Sequence, residues 1–215
     1  MTSNPWTVPR EWTGERCFIL GGGASLKAQI PLLSQLRGRI IAIKQTVQHR
    51  PDADVMFVSG RDDPQTCAPY FPLYTGPRIV ARSNYPGLPD RVLCLHRTKA
   101  PFPDGPRPRW LKVSSCAPYS RRPTHLGGYD AGSSAINLAA LFGATEIVLL
   151  GIDMTGGRWV PKHRLPVIPQ WHFDAHLWSL AQMAPELAKD GIRVVNCSPI
   201  SAVRCFERQP LEAFL

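Results

Sequence analysis

Cys17-Phe18-Ile19-Leu20-Gly21-Gly22-Gly23-Ala24-Ser25-Leu26 decides the fold of this chain: a short apolar strand breaks into three glycines and a helix begins directly after them. Glycine lets backbone N–H groups approach a ligand closely, and a following helix start adds partial positive charge, so a phosphate is the natural guest. The run is not a full dinucleotide fingerprint, because Leu26 stands where a third glycine would fall, and the chain contains no G-x-x-x-x-G-K-[ST] loop. The bland reading is a tight strand-to-helix turn that binds nothing.

Working outward, the pattern predicts a strand over residues 16–20, a helix over about 25–36, strands at 39–43 and 54–59, and Gly38 as punctuation between helix and strand. Apolar strands alternating with helices specify a parallel sheet covered on both faces. Right-handed crossovers then put the ligand crevice at the strand C-terminal ends, where residues 21–25, 44–46 and 59–63 would lie. The logic repeats late in the chain. Gly127-Gly128-Tyr129-Asp130-Ala131-Gly132-Ser133-Ser134 leads into an apolar helix expected over 135–142 and stopped by Gly143. A strand over 146–150 then ends at Gly151-Ile152-Asp153. After a linker, Asp174 is placed to cap a helix to Lys189, Gly191 to end it, and 192–196 to form a last strand. The expected fold class is therefore α/β: one Rossmann-like domain over 1–215 with a mostly parallel sheet and helices on both faces.

Between the two regular halves, residues 61–126 hold 12 of the 22 prolines and eleven Lys/Arg against four Asp, so +7 of the net +9 lies there. Short strand candidates at 78–81, 92–95 and 110–113 are separated by Pro- and Gly-rich turns. The segment reads as a basic, proline-rich loop elaboration or lid over the crevice, not another regular layer. The overall positive charge favours an anionic partner: a phosphorylated small molecule, an acidic acceptor or nucleic acid. Apolar stretches are too short for a membrane span and the N-terminus has no apolar signal core, which excludes a membrane reading. Six scattered cysteines without C-x-x-C suit buried reduced thiols and a cytoplasmic location.

Four further features carry candidate chemistry. His172, at the mouth of the last long helix, is placed to act as a general base; the bland alternative is a surface or capping histidine. Asp153, at a strand end, is placed to hydrogen-bond a sugar or ribose hydroxyl, or to cap a turn. Lys44 ends the second strand where a dinucleotide-binding protein would carry an acidic residue, which argues against NAD and for phosphate. Gly132 and Ser133, at the start of the late helix, would face the same crevice. His172 and His176 have a metal-compatible i,i+4 spacing, with Asp174 or Asp153 to complete a set, but no H-E-x-x-H pattern, so no metal site is assigned. No tightly bound cofactor is called for.

The blocks FILGGGASL, DAGSSAINLAALFGATEIVLLGIDM and GIRVVNCSPISAVRCF resemble, in order and spacing, the bacterial CMP-sialic-acid-dependent sialyltransferases. They also resemble the MptE-like group of hydroxymethylpterin diphosphokinases and motility-associated glycosyltransferases, together with similar bacteriophage proteins. Matched residue by residue, the sialyltransferase turn falls on Gly21-Gly22-Gly23-Ala24-Ser25-Leu26, its second-strand asparagine on Lys44, its Ser-Gly on Ala131-Gly132 and its base on His172. Gly22, Lys44 and Ala131 stand where that pattern has polar nucleotide contacts. The resemblance implies a shared fold with a shifted ligand.

Three functions follow as expectations. The first is a metal-independent glycosyltransferase using a nucleotide-activated sugar donor, in which residues 21–25 hold the phosphate, Lys44 compensates its charge, Asp153 positions a hydroxyl and His172 deprotonates the acceptor. The second is a Mg²⁺-dependent diphosphokinase acting on a pterin-like alcohol. The third is a nucleic-acid-binding or DNA-modifying protein, drawing on Arg78, Arg82, Arg91, Arg97, Lys99, Arg107, Arg109, Lys112, Arg121 and Arg122 with interleaved Tyr70, Tyr74, Tyr85, Trp110 and Tyr119. The sequence leaves the oligomeric state open.

Overall fold

Runs of β-branched and apolar residues, too short for helices and bounded by glycine or proline, become the strands of one sheet. The computed structural model describes residues 5–60, 63–98, 117–155 and 170–215, without the side chains of Gln170, Trp171 and His172. The strands are β1 (Arg16–Leu20), β2 (Arg39–Ile43), β3 (Val55–Val58), β4 (Arg78–Ala81), β5 (Leu93–Cys94), β6 (His96–Arg97), β7 (His125–Leu126), β8 (Glu146–Leu150), β9 (Arg193–Asn196) and β10 (Glu207–Arg208). Eight of them form a sheet in the order β10-β9-β8-β1-β2-β3-β4-β5, every pair parallel, and β6 and β7 form a small parallel pair. This is the Rossmann-like α/β sheet that the alternating pattern specifies.

Side chains alternate between two buried layers. Cys17, Ile19, Ile41, Ile43, Val55 and Phe57 face the layer that includes helix α3 (Ala131–Phe142) and helix α4 (Gln170–Lys189). Phe18, Leu20, Ile40, Ala42, Met56 and Val58 face the opposite layer, which includes α1 (Leu26–Gln29), α2 (Asp63–Cys67) and a C-terminal 3₁₀ turn at Leu211–Phe214. Strands buried on both faces read as continuous apolar runs, as these do. At the opposite end from the glycine turn, Arg16, Glu146 and Arg193 stand side by side on adjacent strands, and Glu146 bridges both arginines. Such partly exposed pairs contribute roughly 0.2–1 kcal/mol each, so they set register more than stability.

Several boundaries differ from the sequence reading, each for a local reason. The helix expected over 25–36 is four α-helical residues followed by a 3₁₀ segment, Ile30–Gln35, because Pro31 lacks the N–H that an α-helical continuation needs. Helix α3 starts at Ala131, four residues early, because the Asp130 side chain accepts from the amides of Gly132 and Ser133 while Ser133 Oγ accepts from the Asp130 amide. Helix α4 begins at Gln170, so Asp174 lies within it and is not its cap.

Within residues 61–126 the strands expected at 78–81 and 92–95 form as β4 and β5, and they continue the main sheet, with Val55 to Val58 paired to Arg78 to Ala81 and Val80 paired to Leu93. Buried Phe71, Tyr74, Ile79 and Val92 join the core. Prolines sit in the segment's turns, where they cost no ladder bond, so short strands form between them. The strand candidate at 110–113 and the central part of the expected lid lie outside the described residues.

Candidate functional site

The sheet order reverses between β1 and β8. The chain leaving β1 turns to the α1 layer and the chain leaving β8 turns to the layer of α3 and α4, which makes their C-terminal ends the topological switch point of the fold. There the two loops zip together. Gly21 N–H donates to Leu150 O at 2.8 Å and Gly23 N–H to Gly151 O at 2.8 Å. Asp153 then accepts from Ser25 through both oxygens, from its amide at 2.9 Å and its hydroxyl at 2.5 Å.

This contact explains the glycines. A Cβ on Gly23 would sit 2.6 Å from the Asp153 carboxylate and from Gly151 O, and Gly151 itself adopts φ +64° against Gly21. Only glycine allows backbone to approach backbone this closely. Among the described residues, the amides of Gly22 and Ala24 are the two in the turn that find no acceptor. The turn therefore offers a ligand two donors, fewer than its glycine count suggests. Asp153, only 3% exposed, is engaged as the clamp of this turn.

A second loop supports the clamp from below. Ser198 Oγ accepts from Ile152 N–H, Ser201 Oγ donates to Ile152 O, and Asn196 orients both serines by accepting from Ser198 N–H and donating to Ser201 Oγ. All three side chains are buried. Sequence reading missed their role, although the Asn-Cys-Ser-Pro-Ile-Ser cluster after the last strand was the available signal. Thr46, also buried, donates from Oγ1 to the Leu20 carbonyl just before the glycines.

Beyond β2, Lys44 takes a left-handed φ of +56° and pairs with Asp63 at 2.9 Å. Burial opposes the charge on Asp63, but Lys44 and the amides of Ser59 and Gly60 outweigh it and hold the carboxyl below the usual range. Beyond β4, Arg82 is 8% exposed and donates from Nη1 to Tyr129 O and Ser134 Oγ at the start of α3. Gly132 and Ser133 reach the same end of the sheet, with their amides engaged by Asp130.

His172 lies in the first turn of α4, and its side chain is outside the described residues. One turn on, the His176 ring stands 5.6 Å from that of Tyr129, and Ser179 Oγ accepts the Tyr129 amide, so α4 and α3 begin side by side. The fold thus brings the backbone of residue 172, Lys44, Arg82, the glycine turn and the α3 start to one end of the sheet. Among the described residues no group of three His, Cys, Asp or Glu could hold a metal.

The basic segment looks different in three dimensions. Arg78 forks onto Glu11, Arg121 onto Glu186 and Asp190, and Arg91 donates to Phe71 O. These cations tie elements together. Tyr74 is buried as well; its hydroxyl donates to the Arg78 carbonyl, and burial pushes its pKa up to about 12. Lys99, Arg107, Arg109, Trp110 and Lys112 lie outside the described residues. No helix among the described residues is long and apolar enough to cross a membrane.

No protein-family model matches this chain, and no curated protein matches it. Among solved structures it is similar to the MAf glycosyltransferase from Magnetospirillum magneticum AMB-1, with a TM-score of 0.67 and 15% identity. The alignment covers all of this chain and 37% of the enzyme, so the chain spans little more than a third of that protein's length. At this identity the likeness is one of fold alone: a Rossmann-like α/β domain.

Proposed function

We propose that this protein is a transferase of the glycosyltransferase type that binds a nucleotide-activated donor at the C-terminal end of its sheet. One observation carries the reading: the switch point between β1 and β8, the starts of α3 and α4, and the cations Lys44 and Arg82 all converge on that end. Open parallel sheets bind ligands at such a point because two loops part there and helix starts face the gap. The fold shared with a glycosyltransferase supports the same reading.

In this proposal the amides of Gly22 and Ala24 meet the donor, Asp153 sets the turn by gripping Ser25, and Lys44, its charge offset by Asp63, offers its remaining ammonium N–H donors. His172 takes the acceptor proton. Gly132 and Ser133 line the site through backbone held by Asp130. The test is calorimetric titration with CMP, UDP, GDP and ADP, with and without Mg²⁺. Binding of one nucleotide without metal supports sugar transfer. Binding that requires Mg²⁺ favours the diphosphokinase instead, and no binding to any of them removes the donor site.

A further inference from the structure

Arg82 is a buried cation with no carboxylate partner among the described residues. It follows β4, its backbone amide extends the sheet onto Val58 O, and it is 8% exposed. Nη1 alone is engaged, by the carbonyls of Gly128 and Tyr129 and by Ser134 Oγ. Nε is buried without an acceptor, and Nη2 finds none among the described residues. Every other arginine described above reaches either a carboxylate or a position nearer solvent.

The arrangement is costly unless something completes it. Removing a guanidinium from water is repaid only by a counter-charge or by full hydrogen bonding, and neutral carbonyls on one nitrogen supply neither. The unengaged nitrogens are informative. Nε and Nη2 form the side-on edge of the guanidinium, whose two parallel N–H bonds match two oxygens of one phosphate. Asp130, at the start of α3, has its carboxylate turned onto the amides of Gly132 and Ser133 and onto Ser133 Oγ, and forms no ion pair with Arg82.

We propose that Arg82 is the phosphate anchor of the site, taking an oxyanion pair on its Nε/Nη2 edge while Nη1 fixes the guanidinium to the start of α3. The proposal rests on the nucleotide-donor reading but assigns the charge recognition to a residue outside the glycine turn. Phosphate could reach this edge as part of a nucleotide or as a free diphosphate, and the two are separated by the ligands used.

The experiment is titration calorimetry on the full chain with inorganic pyrophosphate, with CMP, UDP, GDP and ADP, and with the matching nucleosides, for wild type, Arg82→Gln, Arg82→Lys and the control Arg78→Gln. We expect Arg82→Gln to weaken the phosphate-bearing ligand by at least about tenfold and to flatten its salt dependence. Arg78→Gln should change it less than about twofold, because Arg78 already pairs with Glu11. Arg82→Lys keeps the charge but loses the fork, and it decides the matter should the glutamine variant not fold. Unchanged affinity in the folded variants overturns the anchor and leaves the nucleotide reading standing. Pyrophosphate binding that depends on Arg82, with no nucleotide bound more tightly, keeps the anchor and removes the nucleotide reading. Failure of wild type to bind any phosphate-bearing ligand overturns both.

Discussion

The glycine-rich turn after β1 and the Arg82 corner after β4 lie at the same end of the sheet, yet they use their polar groups in opposite ways. At the turn, the amides of Gly21 and Gly23 are taken by the carbonyls of Leu150 and Gly151, and both Asp153 oxygens by the amide and hydroxyl of Ser25. At the corner, a guanidinium keeps one edge without an acceptor. A motif that advertises phosphate binding is here largely a device for packing two loops at van der Waals distance, whereas a residue inside a proline-rich stretch keeps the donors a phosphate needs. Motif density and donor availability are different quantities.

The contrast is broken most sharply at the glycines. Gly23→Ala drives a methyl into the Asp153 carboxylate and the Gly151 carbonyl, and we expect it to destabilise the fold by about 3 kcal/mol in urea unfolding. A loss below about 1 kcal/mol would show that the two loops can separate, and that the closed clamp is not the stable state. Asp153→Ala should follow at about 2 kcal/mol, since it leaves the buried Ser25 hydroxyl and amide without their acceptor. A double-mutant cycle with Ser25→Ala should return coupling of about 1–2 kcal/mol.

Milder effects sharpen the other side. Asp63→Asn removes the partner of Lys44, and we expect a loss of about 1–2 kcal/mol at pH 7. Because the folded-state pKa of Asp63 is depressed below 3.8, its stabilisation is complete above that value and disappears as pH falls through the folded pKa. The stability gap between wild type and the variant should therefore close below about pH 4, and a gap that stayed constant there would exclude the ionised pair as its origin. Arg82→Met should be the smallest, within about 1 kcal/mol of wild type in the same assay. Losing the Nη1 bonds opposes relief of an unpaired buried charge, so stability and ligand affinity should part company at this residue.

Much of the architecture was legible because it depends on local pattern. Continuous apolar runs at β1, β2, β3 and β8 declared strands buried on both faces, and Gly143 and Gly191 marked helix ends with positive φ. Where a single residue altered local geometry, boundaries slipped: Pro31 cut the first helix short and Asp130 started α3 early. The short strands at 78–81 and 92–95 were legible too, but their place at the edge of the main sheet was not, because strand pairing is set by tertiary packing and not by local periodicity.

For the candidate site, sequence by itself determined at which end of the sheet its residues lie, since strand direction and right-handed crossover place every strand-end residue there. It also selected Gly21, Gly23, Ser25, Lys44, Asp153 and His172 as residues of that end. Only the tertiary structure decided what those groups do, because hydrogen-bond partners such as Ser25 and Asp153 lie 128 residues apart and no local pattern records which donors find acceptors. The same holds for Arg82: its charge was visible in the sequence, but its burial and its engagement through Nη1 alone come from contacts with the start of α3, about fifty residues away.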